Sequence, residues 1–200
     1  MTSLLITKVK RIIEKLKLSA WIMEMPDFPC YKVDISNCSS DLITQFLSAR
    51  ESENWLLMAE YAAFTQQQLW TAWLLSQRAF NRGTALARSI DAEFLRYVAG
   101  THHVSEAFKK VGINPSHKSA WIVYLPHSEN NDGELNPDFD AKSIATTTTE
   151  LCEQLGMLQL SGKPEITIAG IENLGFDISV IDEKTEDLII GYTISTNLNS

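Results

Sequence analysis

The sequence predicts a mixed α+β domain in which a small mixed or antiparallel sheet is packed with several helices. Three observations carry that reading. Strand-like stretches are few and lie far apart, at 31–35, 55–59 and 119–125. Between them run segments with apolar residues at three- and four-residue spacing, opened by Ser, Thr or Asp and closed by Gly. The chain has 200 residues, enough for a sizeable core, and one domain is the expectation at that length.

Met1 to Leu18 reads as an amphipathic helix, because Leu5, Val9, Ile12, Ile13 and Leu16 recur at helical spacing. It is expected to pack on the body; a membrane-surface role is the weaker alternative, since the stretch lacks a Trp or Phe anchor. It does not read as a signal peptide, because its apolar residues precede its lysines and no long apolar run follows. Pro26 and Pro29 keep the next stretch extended, and Tyr31, Val33 and Ile35 alternate with Lys32 and Asp34 as in a strand. Ser39-Ser40-Asp41 can cap a helix to about Arg50 with Leu42, Ile43, Phe46 and Leu47 as its apolar face. Trp55 to Ala59 reads as a buried strand.

Thr65 with Gln68 three residues on forms a capping-box pattern, opening a helix that runs through Leu69, Trp73 and Phe80 to Gly83. Ser89 opens another, with Asp91 and Glu93 in its first turn, and Gly100 ends it. Ser105 to Val111 is a short third helix closed by Gly112. Ser119 to Leu125 reads as a strand stopped by Pro126. Residues 127–141, rich in Asn, Asp, Gly and Pro, read as an acidic loop. A helix from about Ser143 to Leu155 follows, although four consecutive threonines weaken it. Glu165 to Leu174 is compatible with helix or strand. Asp182 to Ile190 reads as a last helix, and Thr193 to Leu198 as a closing strand.

The net charge of −8 excludes a generally basic nucleic-acid coat, but the charge is segmented. Residues 1–20 carry +4, 21–77 carry −5, 78–118 carry +4 and 119–200 carry −11. Screening confines each charge to about 8 Å at physiological salt, so a basic middle can act locally in an acidic protein. The longest apolar runs, such as Trp121 to Leu125, fall far short of the roughly 18 residues a bilayer span needs. Cys30, Cys38 and Cys152 make no disulfide framework and suit a reducing, cytoplasmic setting.

Several chemistries have no footing in the sequence. Glycine-rich phosphate loops, a nucleophile elbow and a HExxH pair are all missing. The cysteines lack zinc-ligand spacing, and adjacent His102 and His103 would point apart. The acidic residues of 127–141 lack the calcium-loop order. No cofactor or metal is expected, and without a nucleophile, base and orienter set the chain reads as a binding protein rather than an enzyme. An enzyme using His102 or His103 as general base is the alternative from a different class.

Residues 84–113, TALARSIDAEFLRYVAGTHHVSEAFKKVGI, resemble the signature segment of the kinase-binding subunit of the KEOPS complex, the TPRKB (PRPK-binding protein) family. The matching positions are Arg88, Ser89, Glu93, Phe94, Leu95, Gly100, Glu106, Ala107, Phe108, Gly112 and Ile113. His102, His103 and Val104 stand where the family carries Arg-Gln-Ile. The resemblance extends over 20–198, and makes residues 1–19 and the 127–141 loop additions to the family domain. It implies a non-catalytic accessory subunit that docks on the KEOPS atypical kinase. It also implies binding of the 3′ CCA end of tRNA, in support of threonylcarbamoyl-adenosine formation by the other subunits.

On that basis Arg88, Arg96, His102, His103, Lys109 and Lys110 are the candidate RNA contacts, supplying cations and flat rings as single-stranded RNA requires. Histidine gains its charge only toward pH 6, so the departure at 102–103 predicts RNA binding that tightens as the pH drops. Ile171, Leu174, Leu188, Ile189 and Ile190 are the candidate kinase contacts, as an apolar helical surface. A module of the same fold without tRNA contact is the alternative that the departure allows. The expected location is the cytoplasm, or nucleus and cytosol in a eukaryote.

Overall fold

The structure is a computed structural model that describes residues 25–131, 134–177 and 180–196. The expected helix at Met1 to Leu18, and with it the 1–19 extension, lies outside the described residues. Four strands form an antiparallel sheet in the order β2-β3-β1-β6: β1 (Cys30–Asp34), β2 (Trp55–Ala59), β3 (Ser119–Tyr124) and β6 (Leu158–Gln159). Trp121 of β3 stands opposite Lys32 of β1 and Met58 of β2.

Helices cover both faces. Leu56, Met58, Trp121 and Val123 point into one core with residues of α2 (Gln66–Asn81), α3 (Ile90–Val98), α4 (Val104–Val111), α6 (Ile168–Asn173) and α7 (Glu183–Ser195). Trp55, Leu57, Ala120 and Ile122 point into a second core with α1 (Leu42–Ala49) and α5 (Ala141–Leu155). A strand buried on both faces has no polar side to alternate with, which is why Trp55 to Ala59 is an unbroken apolar run.

Local sequence explains most boundaries. Thr65 caps α2 by accepting from the Gln68 N–H at 3.1 Å, while the Gln68 side chain turns back to accept from the Phe64 N–H at 2.9 Å. This closes the box one residue earlier than the capping-box pattern implies. Asp182 and Thr185 make a reciprocal box that starts α7. The threonines of α5 fold their hydroxyls back: Thr146, Thr148 and Thr149 each donate to the carbonyl four residues before, so the helix tolerates them.

Two expectations are corrected. The 127–141 stretch is a hairpin of β4 (His127–Asn131) and β5 (Glu134–Asp138), with Asn131 opposite Glu134 and two residues, Asp132-Gly133, between them in sequence. Asp-Gly between two extended runs is a hairpin signal, here hidden by the polar composition. The hairpin is pinned by buried Leu135, by Phe139 beside Trp70, and by Ser128 donating to Gln77 at 3.0 Å. Thr193 to Ser195 belongs to α7, which continues past Ile190, and 197–198 lie outside the described residues. Thr193 donates to the Ile189 carbonyl and is buried, so helical packing overrides the β-branched preference for strand. The ambiguous 165–174 stretch contains α6, and β6 is a pairing the sequence did not signal.

Candidate interaction surface

α3 and α4 form a helical hairpin joined by residues 99–103, and one buried ion pair organises it. Glu93 and Arg96, with side chains 0% and 1% exposed, meet at 2.6 Å. Glu93 also accepts the Leu86 and Ala87 N–H groups at 3.2 and 2.9 Å, fastening the loop before α3. Arg96 donates to the Thr101 carbonyl at 3.2 Å, fastening the loop after it. The guanidinium also lies 4.5 Å from the Tyr97 ring centre. A fully desolvated pair of this kind holds its geometry because every partner is needed to offset burial of the charges.

Gly100 completes the turn at φ +60°, where a side chain is strained. A Cβ there would fall 2.2 Å from the Tyr192 ring. Tyr192 of α7 donates its hydroxyl to the Ala99 carbonyl at 2.8 Å, so the last helix clasps the hairpin loop. Thr101 donates to Glu106 at 2.6 Å, and Glu106 pairs with Lys110 at 3.0 Å. The Thr101 hydrogen bond, then Lys110, holds the Glu106 carboxyl below the usual carboxylate range. Burial works against the Lys110 ammonium, but the Glu106 hydrogen bond and charge, with Tyr192, outweigh it and raise its pKa.

Set on this frame, the candidate RNA contacts separate. Arg96 is corrected: it is interior and fastens two loops, and a ligand does not reach it. Arg88 is exposed just before α3, and Lys109 is exposed in the last turn of α4 with Lys110 half-buried beside it. A short connection makes α3 and α4 antiparallel, so Arg88 and Lys109 lie toward one end of the hairpin, while the Lys110 ammonium reaches back to Glu106 and Tyr192 at the turn. Exposed His103 and half-buried His102 belong to that turn. The Nε2 of His102 is buried without a hydrogen-bond partner.

The candidate kinase contacts are corrected in part. Ile171, Leu174 and Ile189 are 0%, 4% and 1% exposed and belong to the core over the sheet. Leu188 and Ile190 are half-buried on α7. The exposed apolar surface lies elsewhere. Ile43 and Leu47 of α1 and Phe108 of α4 are 46%, 50% and 49% exposed and line one groove of about 440 Å³ at the open edge of β2. Its polar feature is the Arg50–Asp91 pair at 2.5 Å, whose guanidinium also donates to the Trp55 carbonyl at 2.6 Å. The sequence held the signal, because Ile43 and Leu47 extend the apolar face of α1 beyond what one core contact covers. Only Leu42 and Phe46 are buried.

The thiols are poor nucleophiles. Burial, with Asp27 nearby, pushes Cys30 up to about 12, and burial pushes Cys152 up to about 11. Among the described residues no group of three or more His, Cys, Asp or Glu could hold a metal ion, and no helix is long and apolar enough to cross a membrane.

The family model described as kinase binding protein CGI-121 matches residues 33–160, from β1 through β6. The chain belongs to that family. No curated protein matches it. The matched span contains the α3–α4 hairpin and the apolar groove, and stops short of α6 and α7.

Proposed function

We propose that this protein is a non-catalytic accessory subunit that docks on the atypical kinase of a KEOPS-type complex and helps hold the 3′ CCA end of tRNA for threonylcarbamoyl-adenosine formation. It would act in the cytoplasm, or in nucleus and cytosol in a eukaryote. Membership of a kinase-binding family over 33–160 carries the reading. The groove at the β2 edge supports it with a docking surface: three large apolar side chains, each about half exposed, converge there on rigid elements. Exposed apolar clusters of this kind mark partner sites, and truncating a central aromatic anchor typically costs about 2 kcal/mol or more of binding. Co-purification with the kinase is the test. Wild-type chain is expected to retain the kinase, and Phe108→Glu with Leu47→Glu to release it while the far-ultraviolet spectrum is unchanged. Retention by the double variant removes the groove from the account, and failure of the wild type removes kinase docking itself.

For the tRNA part, support comes from Arg88, His103, Lys109 and Lys110, which remain at the surface of the hairpin or near it. A gel shift comparing tRNA with and without CCA tests it, with equal affinity for the two counting against end recognition. The burial of Arg96 favours a second reading, a module of the same fold that docks on the kinase without touching tRNA.

A further inference from the structure

We infer that β6 is a self-association edge, on which two copies of the chain pair antiparallel about Gln159 and join their sheets into one. The inference goes beyond kinase docking and does not depend on it. The two edges of the four-stranded sheet are finished differently. β2 is buried at all its residues, and Arg50 takes up its Trp55 carbonyl at 2.6 Å. β6 is exposed at both of its residues. Leu158 and Leu160 are 61% and 42% exposed, and Leu158 to Gly162 contains no charge and no proline. Sheet edges are guarded by such residues or by cover, and an edge with neither is open to strand addition.

Backbone alternation fixes which groups are available. Val33 stands opposite Gln159 and Asp34 opposite Leu158, and the Leu160 N–H donates to the Lys32 carbonyl at 2.9 Å. Leu158 and Leu160 therefore turn their backbone groups toward β1, and Gln159 between them turns its N–H and carbonyl outward. Ser161, next in that phase, makes no backbone hydrogen bond among the described residues. In an antiparallel pair centred on Gln159, the two Gln159 residues exchange both N–H···O bonds. Leu158 then faces Leu160 of the second copy, at positions where Cα atoms approach to about 4.5 Å and side chains pack closest.

A second copy is the occupant because the edge is complementary to itself. Leu158-Gln159-Leu160 reads the same in both directions, so a dyad through Gln159 covers each of these leucines with a leucine. Charge follows the same symmetry. Lys32 lies beside Leu160 and Asp34 beside Leu158 on one sheet face, so each row across the dyad begins with Lys32 of one copy and ends with Asp34 of the other. Sliding the copies by two residues sets Lys32 toward Lys32, or Asp34 toward Asp34. Lys32 also meets Glu60 in its own copy, so these charges select the register more than they bind. Pro164, which has no N–H to offer, limits the pairing, and so short an interface associates weakly and reversibly. The apolar groove lies at the opposite edge of the sheet and stays open in the dimer.

The test is sedimentation velocity of the full chain from about 1 to 300 µM, a range that reaches weak interfaces. Wild type is expected to move from the 22.5 kDa monomer toward twice that mass as its concentration rises. Gln159→Pro deletes the outward N–H and leaves the bonds to β1 in place. It is expected to weaken association about tenfold or more with the far-ultraviolet spectrum unchanged. Leu158→Lys with Leu160→Lys is the second variant, expected to abolish association by setting like charges opposite each other. Diamide is expected to cross-link Gln159→Cys across the dyad above the wild-type background, and not Ser161→Cys, whose two copies sit about 13 Å apart along the strands. A wild type that stays monomeric throughout, or association that survives both β6 variants, overturns the inference. Cross-linking of Ser161→Cys in place of Gln159→Cys overturns the pairing about Gln159.

Discussion

Arg96 separates charge from availability. In sequence it sits among six other basic residues of a +4 segment and reads as a phosphate contact. In space it neutralises Glu93 and ties two loops. Removing it alone strands a buried carboxylate, so Arg96→Met is expected to cost about 3–5 kcal/mol in urea unfolding. An Arg96 that served RNA would instead cost affinity without stability. Gly100 is the other decisive residue. Gly100→Ala adds a Cβ into the Tyr192 ring at a positive φ and is expected to cost about 1–3 kcal/mol. In a double-mutant cycle Tyr192→Ala should recover the steric part of that cost, leaving the backbone strain. The pattern of Glu93, Gly100 and Glu106 was legible as a family signature. That Glu93 and Gly100 shape loops was not, because Ala87 offers Glu93 only a backbone N–H, which no side-chain pattern marks, and Tyr192 lies far along the chain.

At the scale of elements, packing decided where propensity was silent or misleading. The apolar run of β2 and the capped start of α2 were readable, because one needs only burial on both faces and the other only local hydrogen bonds. The β4–β5 hairpin was not, because its anchors, Leu135 and Phe139, are two side chains in an acidic stretch. α7 was read too short, since the burial that holds Thr193 and Ile194 in helix comes from elements distant in sequence. The same burial protects the thiols. Iodoacetamide at pH 8 is expected to label half-buried Cys38 first, and Cys30 and Cys152 only as the protein unfolds, as peptide mapping by mass spectrometry would show. Early labelling of Cys30 would mean that β1 opens locally.

For the whole molecule, acid sensitivity follows from carboxylates held in their charged form. Asp34, Glu60 and Glu106 all have pKa values below their ordinary ones: Asp34 through the Ser36 hydrogen bonds, Glu60 through Lys32 and Ser119 against burial, and Glu106 through Thr101 and Lys110. A depressed folded-state pKa contributes stability above the unfolded value of about 4 and loses it as the pH falls through the folded value. Melting temperature is therefore expected to decline slightly below about pH 6.5, where burial keeps the His117 ring from taking up a proton in the folded state, and to drop more steeply below about 4 as the carboxylates protonate. A profile flat down to about pH 4 would remove His117 from this account.

The division of labour between the two ends of the chain has a practical side. The family signature stops at residue 160, yet Ile171, Leu174 and Ile189 close the interior and Tyr192 reaches back to the hairpin turn. A fragment trimmed to the matched span would lose those side chains and leave the core over the sheet without part of its wall. Such a piece should come out of cells as inclusion bodies.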